Sequence, residues 1–252
     1  MIIGITHFGD AAFLPLLNAW IEQYKKSGCK YRVVLICDLD VPIPTDAVPY
    51  DKDGTEPLSY LRFYTNAISS IVRKGKNFDI KGTLLCQSIQ VLGRCIILDA
   101  DAFFVKDPTR IIEGLPKVAF GIGDDPNVRQ ISGLNEYVRE CNAGVLYFGT
   151  DNSQDRKDIA SLYELQYAFC KERNNNNMLE QIAWTMVGHI LMKQNRAIQL
   201  PRQLNWSYIW GRNTNETYIL HEHGPQKWDR VKDAHRDNFG RLSEKYKAYY
   251  YA

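Results

Sequence analysis

A chain of 252 residues with 45% hydrophobic and 24% charged residues can form one large α/β domain or two small ones around a sizeable core. A net charge of +2 excludes nucleic-acid or membrane binding driven by overall electrostatics, leaving only local basic clusters to argue for either. Residues 1–10 lack a basic lead and a long apolar core, so no signal peptide is expected, and no run of about 18 apolar residues offers a membrane span. The six cysteines (29, 37, 86, 95, 141 and 170) form no C-x-x-C pair and several sit in apolar runs. Buried, reduced thiols in a cytoplasmic protein are expected.

In chain order, residues 2–6 read as a first strand that ends in the loop His7-Phe8-Gly9-Asp10. Phe13, Leu16, Leu17, Trp20, Ile21 and Tyr24 then recur at helical spacing, and Ser27-Gly28 closes that helix. Residues 31–37, dense in Val, Leu and Ile, form a second strand. Strand, helix and strand in succession predict parallel pairing in a doubly wound sheet. Residues 41–56 carry Pro42, Pro44, Pro49 and Gly54 and read as loop, and residues 57–72 read as helix. A helix over 83–91 feeds the strand 95–98.

That strand stops at Asp99-Ala100-Asp101, where acids replace an apolar run. Acids at a strand's carboxyl end fall where open α/β sheets bind ligands. Residues i and i+2 of a strand share a face, so Asp99 and Asp101 can point at one cation, of the hard type that prefers carboxylate oxygens. A strand end meeting an acidic turn is the plain alternative. Beyond it come a short strand over 118–122, a turn over 123–127, and a strand over 142–148 opened by small residues. A helix over 159–171, a polar loop at 174–177, a helix over 178–192, and short strands over 198–201 and 218–221 follow. The aromatic group Trp206, Tyr208 and Trp210 suits either packing or a sugar face. A charged, Tyr-rich tail occupies about 229–252. No repeat or linker divides the chain, so residues 1–252 are read as a single domain.

Four separated segments stand in an order that resembles a known family: Ile97-Leu98-Asp99-Ala100-Asp101, Asn142-Ala143-Gly144-Val145, Glu180-Gln181, and His221-Glu222-His223-Gly224-Pro225-Gln226-Lys227-Trp228. This order resembles glycosyltransferase family 8, the glycogenin-like and lipooligosaccharide-galactosyltransferase-like enzymes, from the first strand to about Trp228. The resemblance implies a GT-A fold, an α/β architecture with a mostly parallel central sheet flanked by helices. It implies a metal-dependent, retaining transfer of a sugar from a nucleotide sugar, a UDP-sugar, to a saccharide, glycolipid or protein acceptor. Asp99 and Asp101 would hold Mn²⁺ or Mg²⁺ with His221 of an H-x-x-G-x-x-K pattern, and His223 is a competing ligand two residues on. Lys227 would set its charge on the leaving phosphate, and Gly224 would let backbone N–H approach it. The family's Lys-Pro-Trp is here Lys227-Trp228, without the proline.

By the same resemblance, Ile5, Thr6 and His7 would meet the base and ribose, and Arg62 of Tyr60-Leu61-Arg62 would reach the donor sugar or diphosphate. Asn142, Ala143 and Gly144, with Ala100, would surround the donor sugar. Glu180 stands where the family writes Asp, and Gln181 follows it as the residue near the reacting carbon. Same-face attack by the acceptor hydroxyl is implied, because no carboxylate is an obvious nucleophile once Asp99 and Asp101 hold metal. Tyrosine autoglucosylation at Tyr246, Tyr249, Tyr250 or Tyr251 is disfavoured, and membrane contact is at most peripheral. A nucleotidyltransferase of related fold is a rival, but residues 2–10 lack its Gly-rich, basic signature. A non-catalytic nucleotide-sugar or glycan-binding protein need not keep Asp99, Asp101, His221 and Lys227 together. No nucleic-acid partner is expected.

Overall fold

A computed structural model of the protein describes residues 1–7, 14–38, 42–63, 77–130, 137–173, 179–207 and 216–221. The strongest apolar runs of the sequence lie side by side in it. β1 (Ile2–His7) pairs in parallel with β2 (Arg32–Asp38) on one side and with β5 (Cys95–Leu98) on the other. β3 (Val48–Pro49) and β4 (Leu58–Phe63) extend the sheet beyond β2, both in parallel register. Past β5 come β8 (Tyr137–Phe148), β7 (Phe120–Gln130) and β9 (Ala197–Gln199), completing an eight-stranded sheet in the order β3-β4-β2-β1-β5-β8-β7-β9. β8 runs against both its neighbours, and the other pairings are parallel.

Alternation along the strands divides the core into two layers. Ile3 and Ile5, Val33 and Leu35, and Ile96 and Leu98 face α1 (Leu14–Ser27), which contributes Leu17, Trp20, Ile21 and Tyr24. Val34 and Ile36, Cys95 and Ile97 face α2 (Asn77–Leu92), α4 (Ser153–Arg173) and α5 (Leu179–Lys193). α3 (Thr109–Glu113) is a short helix before β7. Trp184 of α5 is fully buried, stacked on Tyr163 at 4.3 Å and on Phe120 at 5.6 Å, and aromatic pairs of this kind add about 0.5–1.5 kcal/mol each beyond burial. Gly28 and Gly93 end α1 and α2 at φ +76° and +69°, left-handed conformations suited to glycine. All six cysteines are buried thiols outside any disulfide, and burial pushes the Cys95 thiol up to about 12. No described helix is long and apolar enough to cross a membrane.

The structure corrects several sequence expectations. Where a helix was expected over 57–72, Leu58–Phe63 form β4, paired residue for residue with Val33–Asp38 of β2. Pairing against an already buried strand outweighs local preference there. The turn expected over 123–127 is part of β7, whose pairing with β8 skips register between Ile122 and Gly123 and again between Asp124 and Val128. Pro126 lies within the second skip, where no regular ladder bond is needed from it. Asn142 therefore lies inside β8 rather than at its start. Phe13, the 174–177 loop, Tyr208, Trp210 and everything after His221 lie outside the described residues.

A second sheet of three strands, β10 (Trp206–Ser207), β11 (Ile219–His221) and β6 (Ala102–Phe104), stands at the carboxyl end of β5. It is tied to α1 by Trp20, whose indole N–H donates to the Ala102 carbonyl at 2.7 Å.

Gly82 of α2 packs against the buried Tyr163 of α4; a Cβ there would fall 1.7 Å from the phenol oxygen and 2.1 Å from the adjoining ring carbon. Gly82→Ala is expected to cost about 1–3 kcal/mol of stability, read as a lower urea midpoint at unchanged slope. An unchanged midpoint would show that Tyr163 withdraws freely.

Candidate active site

Pairing with β1 and β8 holds β5 until Leu98, and the next amide, Asp99 N–H, donates to the Gly144 carbonyl of β8 at 2.9 Å. The chain then turns, with Ala102 N–H donating to the Asp99 carbonyl at 2.9 Å, before β6 begins. Asp99 and Asp101 thus converge through a turn and not through strand alternation. β11 runs antiparallel to β6 and sets His221 opposite Ala102, beside Asp101. His221 Nε2 lies 3.3 Å from Asp101 Oδ1, and one ligand atom from each of Asp99, Asp101 and His221 falls within 4.8 Å of the others. Asp101 and His221 are buried, and Asp99 is half-buried.

Gly144 decides where the imidazole sits. A Cβ on Gly144 would lie 2.0 Å from His221 Cε1 and 2.4 Å from Nδ1, so the ring occupies space that only glycine leaves open. Gly144 N–H also donates to Asn142 Oδ1 at 2.9 Å. One glycine therefore contacts the histidine ring, the Asp99 backbone and the Asn142 amide.

Lys81 of α2 is a member of the site that the sequence reading missed. Its Nζ lies 2.6 Å from Asp99 Oδ1 and 3.6 Å from Glu180 Oε2 of α5. Burial works against the ammonium charge, but Asp99 and Glu180 outweigh it and hold Lys81 above the ordinary lysine range. Burial pushes the Glu180 carboxyl up, while Lys81 pulls it down. Glu180, in the first turn of α5, is thus a buried partner of Lys81. A lone lysine in the apolar stretch Ile80-Lys81-Gly82-Thr83-Leu84-Leu85 was the available signal, with Gly82 marking close packing beside it. Gln181 donates from Nε2 to Glu140 Oε1 at 2.6 Å, and Thr185 Oγ1, one turn later, accepts from Cys141 N–H at 3.1 Å. These bonds fasten the start of α5 to β8.

The donor set fits a divalent cation. Adjacent ligands on an ion with bonds of about 2.1 Å lie about 3 Å apart, close to the His221–Asp101 separation of 3.3 Å. Lys81 occupies one oxygen of Asp99 and leaves the other for an ion. Two carboxylates with one imidazole suit Mn²⁺ somewhat better than Mg²⁺.

No protein-family model matches the chain, and no curated protein matches it by sequence. Solved structures do. The galactosyltransferase LgtC, in complex with donor and acceptor sugar analogs, aligns over 99% of this chain and 100% of its own with a TM-score of 0.61 at 13% identity. This is the GT-A glycosyltransferase fold. The glycosyltransferase GlyE of Streptococcus pneumoniae TIGR4 aligns over 96% of this chain and 62% of its own, with a TM-score of 0.54 at 12% identity. A glycosyltransferase involved in glycosylation of the major capsid of PBCV-1 gives 0.54 at 13% identity, over 93% and 100% of the two chains.

Within this GT-A frame the predicted site residues fall at different places. Asp99, Asp101 and His221 converge beyond the carboxyl end of β5, with Gly144 against the imidazole and Asn142 bonded to Gly144, whereas Ala100 packs against the α1 layer of the core and Ala143 lies in the opposite layer. Thr6 joins them, its hydroxyl 3.3 Å from the Leu98 carbonyl and 3.4 Å from Asp99 Oδ1. Ile5 is buried in β1 opposite Leu98, and His7 ends that strand. Arg62 lies three strands from β5, on β4, with its guanidinium 5.5 Å from its own Tyr60 ring centre. His223, Gly224, Lys227 and Trp228 lie outside the described residues.

Gly144→Ala is expected to displace the imidazole and weaken Mn²⁺ binding about 10–100-fold in a direct metal titration. An affinity equal to wild type would place the ion elsewhere. Lys81→Met leaves Asp99 and Glu180 without their shared cation and is expected to cost about 3 kcal/mol in metal-free protein. A loss under about 0.5 kcal/mol in urea unfolding would mean that both carboxylates reach water.

Proposed function

We propose that this protein is a metal-dependent glycosyltransferase that moves a sugar from a UDP-sugar to a saccharide or glycolipid acceptor with retention of anomeric configuration. The observation that carries this reading is the convergence of Asp99, Asp101 and His221 at the carboxyl edge of a GT-A sheet. A nucleotide diphosphate is the substrate class that such a ligand set serves, because its departure needs concentrated positive charge. Mn²⁺ or Mg²⁺ held by these residues would supply Lewis-acid stabilisation of the leaving diphosphate.

The protein's own residues account for the rest. Lys81, kept charged by Asp99 and Glu180, adds a fixed positive centre that needs no reorganisation during reaction. Lys227 and Gly224, a few residues after His221 in sequence, complete the phosphate contacts. Ile5, Thr6 and His7, at the end of β1, meet the base and ribose, and Arg62 reaches toward the donor. Asn142 and Ala143 border the sugar, and Glu180 and Gln181 face the reacting centre.

Retention by a covalent intermediate requires a free carboxylate near the anomeric carbon. The carboxylates described around this site are engaged: Asp99 and Glu180 by Lys81, Asp101 by His221, and Glu140 by Gln181. This supports same-face attack. The acceptor hydroxyl oxygen bonds to C1 as the C1–O bond to the phosphate breaks. The departing electron pair stays on the phosphate oxygen, which takes the acceptor proton, while the protein positions both reactants. The reading places the enzyme in the cytoplasm, with at most peripheral membrane contact and no nucleic-acid partner.

Calorimetric titration of UDP tests it. Micromolar binding that needs Mn²⁺, vanishes in EDTA and is lost in Asp101→Ala is expected. Absence of UDP binding under every metal condition would overturn the UDP reading and bring GDP, CDP and nucleoside triphosphates forward.

A further inference from the structure

The buried Asn142 side chain has both lone pairs of its oxygen occupied. Gly144 N–H donates to Oδ1 at 2.9 Å, and Asn205 Nδ2 donates to it at 3.1 Å. A backbone N–H can only donate, so the Asn142 atom that faces Gly144 is the carbonyl oxygen, and the amide has one orientation. The same reasoning orients Asn205. Its NH₂ end meets Asn142 Oδ1, and that nitrogen also lies 3.5 Å from the Asn142 main-chain oxygen.

Asn205 is held at a cost. It is 2% exposed, and its own Oδ1 has no hydrogen-bond partner among the described residues. Leaving a buried carbonyl unsatisfied opposes folding. Gly123 of β7 makes the room: a Cβ there would lie 2.1 Å from Asn205 Nδ2. Asn205 closes the 3₁₀ turn Arg202–Leu204 and leads into β10, which pairs through Ser207 with His221. The same segment therefore supports the histidine and the asparagine.

We infer that Asn205 is a positioning residue for the donor sugar: it locks the Asn142 amide with its NH₂ turned away from Gly144 and Asn205, where it can donate to a sugar hydroxyl oxygen. This deepens the donor-site reading above and rests on it. Without Asn205 the Asn142 oxygen keeps only its bond to Gly144, and the amide samples other rotamers.

The test is a double-mutant cycle of Asn205→Ala and Asn142→Ala, with Asn205→Asp as a near-isosteric control. Two quantities are read: UDP affinity with Mn²⁺ by calorimetry, and UDP release from the best donor among UDP-glucose, UDP-galactose and UDP-N-acetylglucosamine. Asn205→Ala is expected to lower kcat/KM about 10-fold with UDP affinity within about twofold of wild type. In the Asn142→Ala background the same substitution should change kcat/KM less than about twofold, because the two act as one unit. Asn205→Asp, which turns an acceptor toward Asn142 Oδ1, should lose at least as much as Asn205→Ala.

Equal losses in both backgrounds would assign Asn205 to the fold and overturn the inference, as would wild-type kcat/KM in Asn205→Ala. If Asn205→Ala gives no cooperative urea transition, Asn205→Asp decides, and failure of both to fold assigns the residue to the fold. Wild-type protein that does not bind UDP overturns the donor-site reading itself. Intact UDP binding with unchanged kcat/KM overturns the positioning role alone.

Discussion

The contact between Gly144 and the His221 ring is the constraint on which the site depends. A strand of the main sheet and a strand of the small sheet approach until nothing larger than hydrogen fits between them. That approach gives His221 its place beside Asp101, because β11 is held to β6 and the ring is stopped by Gly144. The peptide groups of Gly144 serve the same junction, with the carbonyl accepting from Asp99 and the N–H donating to Asn142. Metal ligation and sugar contact, as proposed, therefore share one backbone position.

Charge is the second organising principle. Asp99, Asp101 and Glu180 bring three carboxylates to a largely buried region, and Lys81 places one positive charge between two of them. Buried charges of one sign are tolerated only with partners, and the lysine is such a partner from within the fold. The position of the lysine follows from packing of α2 against α4, where Gly82 admits the Tyr163 phenol. The electrostatics of the site thus trace back to helix packing some distance from it.

Irregularity in the sheet shapes the remaining wall. β7 and β8 lose register at two points near Gly123 and Asn142, and the skips re-aim side chains along both strands. Gly123 makes room for the Asn205 amide there, and Asn142 meets it from β8. A regular ladder continued from the Ile122–Leu146 pair would set Gly123 opposite Val145; the skip sets it opposite Asn142 instead, where the missing side chain leaves the space that the Asn205 amide fills. The bonds from Gln181 and Thr185 of α5 to Glu140 and Cys141 hold the helix that carries Glu180 against this stretch.

Much of this was legible in the residues. Alternating apolar strands, the closing glycine of α1 and the acids ending β5 needed only local patterns. The order of Asp99, Asn142, Glu180 and His221 carried the resemblance to GT-A glycosyltransferases at an identity that sequence comparison alone does not detect. What the residues left open was set by contacts between distant segments. Leu58–Phe63 became a strand because β2 offered a buried edge, which a helix-prone stretch does not record in its own composition. Pro126 looked like a turn because a register skip depends on the partner strand as much as on the chain itself. Asn205 carries no local mark of function, and the apolar stretch around Lys81 marks a buried lysine without naming its partners, since each acquires its role from residues distant in sequence. Local preference and hydrophobic period determined the strands, most of the helices and the acidic end of β5. Only tertiary structure decided which lysine pairs with Asp99 and which amide orients Asn142, because hydrogen bonds and ion pairs depend on ångström-scale approach between segments that sequence order does not encode.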